Sequence, residues 1–395
     1  MNMIEDIVVV SAMRTAIGDY GGGLKSFSPT DLGAAVAGAA IDRAGIAPQD
    51  VEQVFYGNVI HSEARDMYVS RTSALLAGVP ETAPCLTVNR LCGSGLQAII
   101  SGIQTLMLGD AKIVLAGGTE SMSNAAYILP GARWGNRMGD GKVIDMMVGA
   151  LNDPFGNGHM GITAENVAEK YGVTRAAQDT FAVESHRRAA AAIAKGYFKD
   201  QIHPMTLKSR KGTTVVDTDE HVRPDATFED MQRLRAAFKK DGVVTAGNAS
   251  GINDGAAALI LMTAGQAAKR GLSPLARIRS YGLAGVAPEL MGTGPIPAMT
   301  LAAEKAGISL ADLDVIESNE AFAAQACAVT QSLGLDPEKV NPNGGAVALG
   351  HPVGASGAII TVKLLHELQR RGASLGAATM CIGGGQGIAL IVEAL

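Results

Sequence analysis

The feature that most constrains the fold is a repeat inside the chain. AAIDRAGIAPQDVEQVFYGN (39–58) resembles AAEKAGISLADLDVIESNE (302–320), and SGLQAIISGIQTLMLG (94–109) resembles SGAIITVKLLHELQRRG (356–372) with one extra residue. The second member of each pair runs into a strand-like segment and a glycine cluster, KIVLAGG (112–118) in one half and AATMCIGGG (377–385) in the other. A chain of 395 residues is too long for one ordinary core. Two similar halves around a pseudo-twofold axis satisfy both facts. Such a repeat speaks for fold rather than function.

Within the first half, strand and helix signals alternate. IVVV (7–10) reads as a buried strand, and LGAAVAGAAIDRAG (32–45) as an Ala-rich helix ended by Gly45. VEQVFYGNVI (51–60), CLTV (85–88) and KIVLAGG (112–118) read as further strands. Leu96, Ile99, Ile100, Ile103 and Met107 recur at helical spacing, and Gly109 closes that run. This order predicts an α/β fold with a parallel sheet and helices on its faces. Residues 121–249 differ: they hold 17 of the 33 Lys and Arg. An inserted, more exposed lobe explains the shift, with helices predicted at 162–171 and 176–195. From 250 onward the α/β texture returns.

Bulk composition excludes several functions. A net charge of −5 argues against a general nucleic-acid binder. No apolar run suggests a membrane span, which needs about 20 residues. The acidic start MNMIEDIVVV is unlike a signal peptide, and IVEAL matches no address signal. Cys85, Cys92, Cys327 and Cys381 lie far apart without a CxxC pair. That is neither a disulfide framework nor a zinc site, and it fits a reducing cytoplasm.

Four glycine-rich or polar turns carry the candidate chemistry. In NRLCGSG (89–95), Cys92 sits at a strand-to-helix turn, where unsatisfied N–H groups and the helix dipole favour a thiolate. A small residue filling a tight turn is the other reading. Gly93 to Ala98 also fits the dinucleotide pattern GxGxxA, but the nearest acid, Glu120, follows two glycines rather than a strand end. In NPNGGAVALGHPVGASG (341–357), His351 precedes the second repeat's helix, the counterpart of the Cys92 region. A histidine there can take a thiol proton, or it is a loop bystander. In MCIGGGQG (380–387), Cys381 ends a strand before a turn rich in backbone N–H groups. It is a buried strand residue or an acid–base group. In ESNEAFAAQ (317–325), Asn319 either caps a helix or holds a water or carbonyl oxygen.

In combination and order, these blocks resemble the thiolase family. NRLCGSG is similar to its nucleophile motif, NEAFA to its asparagine motif, GHPVGASG to its histidine motif and CIGGGQG to its second-cysteine motif. AGNASGINDGAAA (246–258) resembles the block that closes the inserted lobe, and the likeness spans essentially the whole chain. GHMGITAENVA (158–168) resembles the biosynthetic subtype, the acetyl-CoA acetyltransferases and β-ketothiolases, and RWGNRMGDGKVIDMM (133–147) resembles its tetramerisation loop. Ser318 departs from the apolar residue common before NEAFA.

The resemblance implies a layered α/β sandwich of two βαβ-based halves. Residues 1–120 with 250–272 form the first half, 121–249 a loop domain, and 273–395 the second half. It implies coenzyme A thioesters as substrates, no separate cofactor or metal, and a homotetramer. It implies that Cys92 is the nucleophile, His351 its base, Cys381 the second base, Asn319 a water holder and Gly383 an oxyanion donor. His159, Met160, Met291, Ala321 and Phe322 would line the acyl end, Ser250 would contact the pantetheine and Arg223 border the nucleotide, with Ala249 also among the CoA-binding residues. A decarboxylating ketoacyl-synthase-like enzyme and a non-catalytic CoA-thioester binder are the alternatives. The second cysteine argues against the first, and intact Cys92, His351 and Cys381 against the second.

Overall fold

A computed structural model describes residues 5–209 and 212–395. Nine strands build the path of a large sheet: β1 (Ile7–Arg14), β2 (Gln53–Gly57), β3 (Cys85–Val88), β4 (Ile113–Ser121), β5 (Asn253–Thr263), β6 (Ala276–Gly285), β7 (Val315–Ser318), β8 (Leu375–Ile382) and β9 (Gln386–Ala394). Their order is β7-β8-β9-β6-β1-β5-β4-β2-β3, and Gly18–Asp19 adds a short strand beside β5. The repeat is visible in the pairing. β1, β5, β4 and β2 succeed one another as β6, β9, β8 and β7 do, with two antiparallel joints and then a parallel one in each half. Within the sheet, among the described residues, the halves join through two residue pairs, Val8 with Arg277 and Val9 with Ala276.

The sheet is therefore mixed, not parallel as the strand–helix–strand order predicts. The returning strand β5 enters between β1 and β4 and runs antiparallel to both. β9 follows β8 through a tight hairpin, where Gly384 and Gly385 take φ of 79° and 85°. Two successive left-handed residues suit glycine, which carries no Cβ to clash.

Helix α1 (Pro29–Ala44) packs on the first half, and α5 (Pro295–Ala306) packs equivalently on the second. Between the half-sheets lie α2 (Ser94–Leu108) and α7 (Val353–Arg371), the helices of the second repeat. These two cross with almost no space. A Cβ on Gly95 would stand 2.8 Å from the Ala358 nitrogen, and one on Gly357 would stand 2.5 Å from the Leu96 nitrogen. Bare glycines at matched positions thus let the backbones meet, and both helix starts point into one region.

The segment Leu91–Leu108 is apolar and long enough, by length and composition alone, to cross a membrane, a signal the run-length reading passed over. Here it is a core helix: Leu96, Ile99, Ile100 and Ile103 are buried. Met107, placed on the apolar stripe by its spacing, is exposed instead, while Leu106 is buried.

Residues 122–252 contribute no strand to the large sheet among the described residues. They hold α3 (Met160–Tyr171) and α4 (Arg175–Ala194), close to the predicted bounds. The short helix α6 (Ala323–Ser332) follows β7 and packs on both.

Candidate active site

Cys92 stands two residues before α2 begins, on a turn in which Leu91 adopts φ 46°. Left-handed backbone is uncommon for a leucine, and it turns the chain sharply at the nucleophile position. The turn is tied down locally: Asn89 Oδ1 accepts from the Leu91 N–H at 2.9 Å, and Ser94 Oγ accepts from the Arg90 N–H at 2.9 Å. Gly93 allows this turn to press on the end of β8, since its Cβ would meet Ile382 Cδ1 at 2.5 Å.

That contact brings Cys92 to Cys381 and Gly383. One cavity of about 50 Å³ is lined by Cys92, His351, Cys381 and Gly383 together. Met160, Ser250, Met291, Ala321 and Phe322 complete its predicted wall. Ala249 packs in one apolar cluster with Met160, Met291, Ala321, Phe322 and Cys381. It also pairs across a single β-bridge with Phe322, and the Ser250 N–H donates to the Ala321 carbonyl at 3.0 Å.

His351 enters from the loop before α7. Its N–H donates to Asn253 Oδ1 at 2.9 Å, its Nδ1 lies 2.6 Å from Ser356 Oγ, and its Nε2 lies 3.5 Å from Asn319 Nδ2. Asn319 follows β7, beside β8, and its N–H donates to the Thr379 carbonyl at 2.9 Å. Asn319 is therefore held by the sheet and precedes α6 by four residues, so the N-cap reading does not apply.

His159 reaches the site indirectly. It caps α3 through its Nδ1, which accepts from the Gly161 N–H at 3.0 Å. Its ring stacks on Phe238 with centroids 4.7 Å apart, and Phe238 meets Phe322 edge-on at 6.1 Å. Arg223 lies in another cavity, of about 630 Å³, with His186 and His221. Segment 246–250 runs between the two, since Ala246 and Gly247 border the larger cavity and Ser250 the smaller.

Electrostatics decide the resting protonation. Although part of Cys92 faces the cavity, burial pushes its thiol up to about 11, against the N–H groups of Gly383 and of Cys92 itself, which donate to the sulfur. Burial also raises the Cys381 thiol, and nearby Cys92 adds to that rise. Burial drives His351 down to about 4, so its imidazole is neutral near pH 7. The resting cysteine is thus a thiol rather than the thiolate that a helix terminus alone suggests. Desolvation outweighs the dipole, and a base must take the proton. With a neutral imidazole and two thiols lining one cavity, and two backbone N–H groups on the Cys92 sulfur, the arrangement can form and resolve an acyl-cysteine.

Several participants have no motif of their own. Val59, Ala150 and Leu151 also line the cavity and read as ordinary apolar residues in sequence, while Leu91 and Val353 line it from inside the Cys92 and His351 motifs. Glu120, weighed only as a dinucleotide acid, is wholly buried and spans the halves. It accepts from Asn58 Nδ2 and from the N–H groups of Val59, Ile60 and Gly354 at 2.8–3.1 Å. It thereby ties the Val59 loop to the first turn of α7.

The fold and this cavity define a duplicated α/β protein with two cysteines and a histidine lining one site. The chain belongs to the thiolase family: residues 7–265 match the thiolase N-terminal domain and 272–394 the thiolase C-terminal domain. It is 60% identical to the beta-ketothiolase BktB of Cupriavidus necator, over 99% of this chain and all of that one. It is 53% identical to an acetyl-CoA acetyltransferase of Thiocystis violacea over the full length of both. The crystal structure of the Bacillus anthracis acetyl-CoA acetyltransferase superposes with a TM-score of 0.98 at 48% identity, covering both chains entirely. Human mitochondrial 3-ketoacyl-CoA thiolase in complex with CoA superposes with a TM-score of 0.96 at 46% identity, over all of this chain and 99% of that one.

Proposed function

We propose that this chain is an acyl-CoA:acetyl-CoA C-acyltransferase. It runs a reversible Claisen condensation of acetyl-CoA with a short acyl-CoA, or thiolysis of a 3-ketoacyl-CoA. The observation that carries this reading is the single cavity shared by Cys92, His351 and Cys381.

In the first half-reaction His351 Nε2 takes the Cys92 proton and the thiolate attacks the acyl-CoA carbonyl. The tetrahedral oxyanion forms where the N–H groups of Cys92 and Gly383 converge. Losing one such donor costs roughly 3–4 kcal/mol of barrier. Departing CoA thiolate takes the Cys381 proton. The Cys381 thiolate then removes a methyl proton from a second acetyl-CoA. Protonated His351 and a water held by Asn319 stabilise the enolate. The enolate carbon attacks acyl-Cys92, and the freed thiolate recovers its proton from His351. The Cys92 proton returns to Cys92, the Cys381 proton leaves on CoA, and the methyl proton replaces it on Cys381, so both thiols are restored and the chemistry requires no further cofactor. A cysteine in the second-base position, rather than a second histidine, favours this reaction over decarboxylating condensation.

CoA is long enough to need both cavities. Arg223, His186 and His221 suit its phosphates, Ser250 with Ala249 beside it the pantetheine arm, and Met160, Met291, Ala321 and Phe322 its acyl end, with His159 behind that wall through Phe238. Residues 121–249 then act as a loop domain over the two thiolase halves. A homotetramer is supported by Trp134 and Met138, 85% and 100% exposed in the loop that resembles the tetramerisation segment. A cytoplasmic setting suits four unpaired cysteines.

Incubation with acetyl-CoA tests the assignment. The Cys92 peptide should gain one acetyl group, and Cys92→Ser protein should show no comparable labelling. An unlabelled Cys92 overturns the reading.

A further inference from the structure

Ser356 is buried in the first turn of α7 and is not among the residues that line the catalytic cavity. Its hydroxyl lies 2.9 Å from the Pro352 carbonyl and 2.6 Å from His351 Nδ1. Both contacts are hydrogen bonds only when the one hydroxyl hydrogen goes to Pro352, because a carbonyl can only accept. The serine oxygen then faces Nδ1 as an acceptor, and Nδ1 must carry hydrogen. That carbonyl is fixed in turn, because the N–H groups of Ala355 and Ser356 also donate to it at 2.9 Å.

The pseudo-symmetric residue supports this direction independently. Ser94 occupies the position of Ser356 in the other repeat. Its hydroxyl donates to the Leu91 carbonyl at 2.6 Å and accepts from the Arg90 N–H at 2.9 Å, a backbone group that can only donate. Both serines thus give their hydrogen to a carbonyl a turn earlier and receive one N–H. In the first half the N–H is structural; in the second it belongs to the imidazole. The amide nitrogen of Asn319 lies 3.5 Å from Nε2, on the side where a lone pair is then expected.

We infer that Ser356 is a positioning residue for the reaction: by holding the Nδ1–H of His351, it confines every proton transfer to Nε2. The inference rests on the acyltransferase reading above. The Cys92 proton arrives at Nε2, serves there as the hydrogen donated to the enolate, and returns to Cys92 sulfur, while Nδ1–H never leaves Ser356. Without the serine the imidazole can place its single hydrogen on Nε2, where it blocks acceptance of the thiol proton.

Nitrogen-15 NMR of the histidine rings in the intact wild-type enzyme reads the tautomer directly. Nδ1 of His351 should be pyrrole-like and Nε2 pyridine-like, and the reverse assignment overturns the inference. In Ser356→Ala enzyme the two signals should move toward each other. Single-turnover acylation of Cys92 by acetyl-CoA should slow about 10- to 100-fold, a partial loss up to the lower end of the roughly 10²–10⁴-fold that a general base supplies. Ser356→Thr, which keeps the hydroxyl, should restore most of that rate. Wild-type acylation by Ser356→Ala overturns the inference. If Ser356→Ala does not fold, the wild-type spectrum decides. Wild-type enzyme that never acylates Cys92 refutes the acyltransferase reading instead, and the spectrum still reports the tautomer.

Discussion

Gly95 and Gly357 meet across the pseudo-twofold axis, each where a Cβ would strike backbone of the opposing helix, at 2.8 Å and 2.5 Å. Backbone cannot swing aside as a side chain can. Gly95→Ala must therefore push α2 and α7 apart, and with them the loops bearing Cys92 and His351. Overpacking of this kind costs about 1–3 kcal/mol, occasionally more. Thermal unfolding should show a lower Tm and acetylation of Cys92 should slow. An unchanged Tm would show that the crossing tolerates a methyl group.

His351 also gives the fold an acid sensitivity. Its folded value near 4 lies below the ordinary histidine value of 6.5, because burial penalises the imidazolium. Between those values the unfolded chain binds a proton that the folded chain refuses. Stability therefore falls as pH drops from about 6.5 to about 4, by at most about 1.4 kcal/mol per unit. Denaturant titrations at several pH values should show wild type losing stability relative to His351→Asn over this window. Parallel pH profiles would contradict the buried neutral imidazole.

Leu91 separates the catalytic cavity from an adjoining apolar cavity of about 590 Å³, and Val59 and Ala150 share that wall. Truncating it joins the two spaces. Leu91→Ala should raise kcat/KM for a six-carbon 3-ketoacyl-CoA relative to the four-carbon substrate by about ten-fold, the scale of one or two methylenes in an apolar pocket. Thiolysis assays across chain lengths check this, and an unchanged ratio would place the chain-length limit elsewhere.

Arg223 should matter only for substrates that carry the nucleotide. Arg223→Ala should raise KM for acetyl-CoA about ten-fold, as expected for one charge-assisted hydrogen bond. KM for acetyl-N-acetylcysteamine, which lacks the nucleotide, should not change. Equal losses with both thioesters would move Arg223 out of the nucleotide site.

Much of this arrangement is legible in the sequence because it is local. The repeat predicts both halves, and Gly45 and Gly109 end their helices in left-handed caps as expected. The Cys92, Asn319, His351 and Cys381 turns announce themselves through glycines and polar residues placed between regular segments. Features set by long-range packing are not legible. Strand direction in the sheet depends on where β5 re-enters after the insertion, which no local pattern records. The thiol of Cys92 depends on desolvation by residues from both halves. Ser356 is one serine in a glycine-rich run until the imidazole is seen against its hydroxyl. Glu120 makes sense only once the Val59 loop and Gly354 are seen to converge on it.

The division of labour between the two sulfurs is tested most directly with Cys381→Ala enzyme and acetyl-CoA, following both the Cys92 peptide mass and acetoacetyl-CoA formation. Cys92 should become acetylated while condensation falls to background. Acetoacetyl-CoA formed at the wild-type rate would contradict the assignment of Cys381 as the base that makes the enolate.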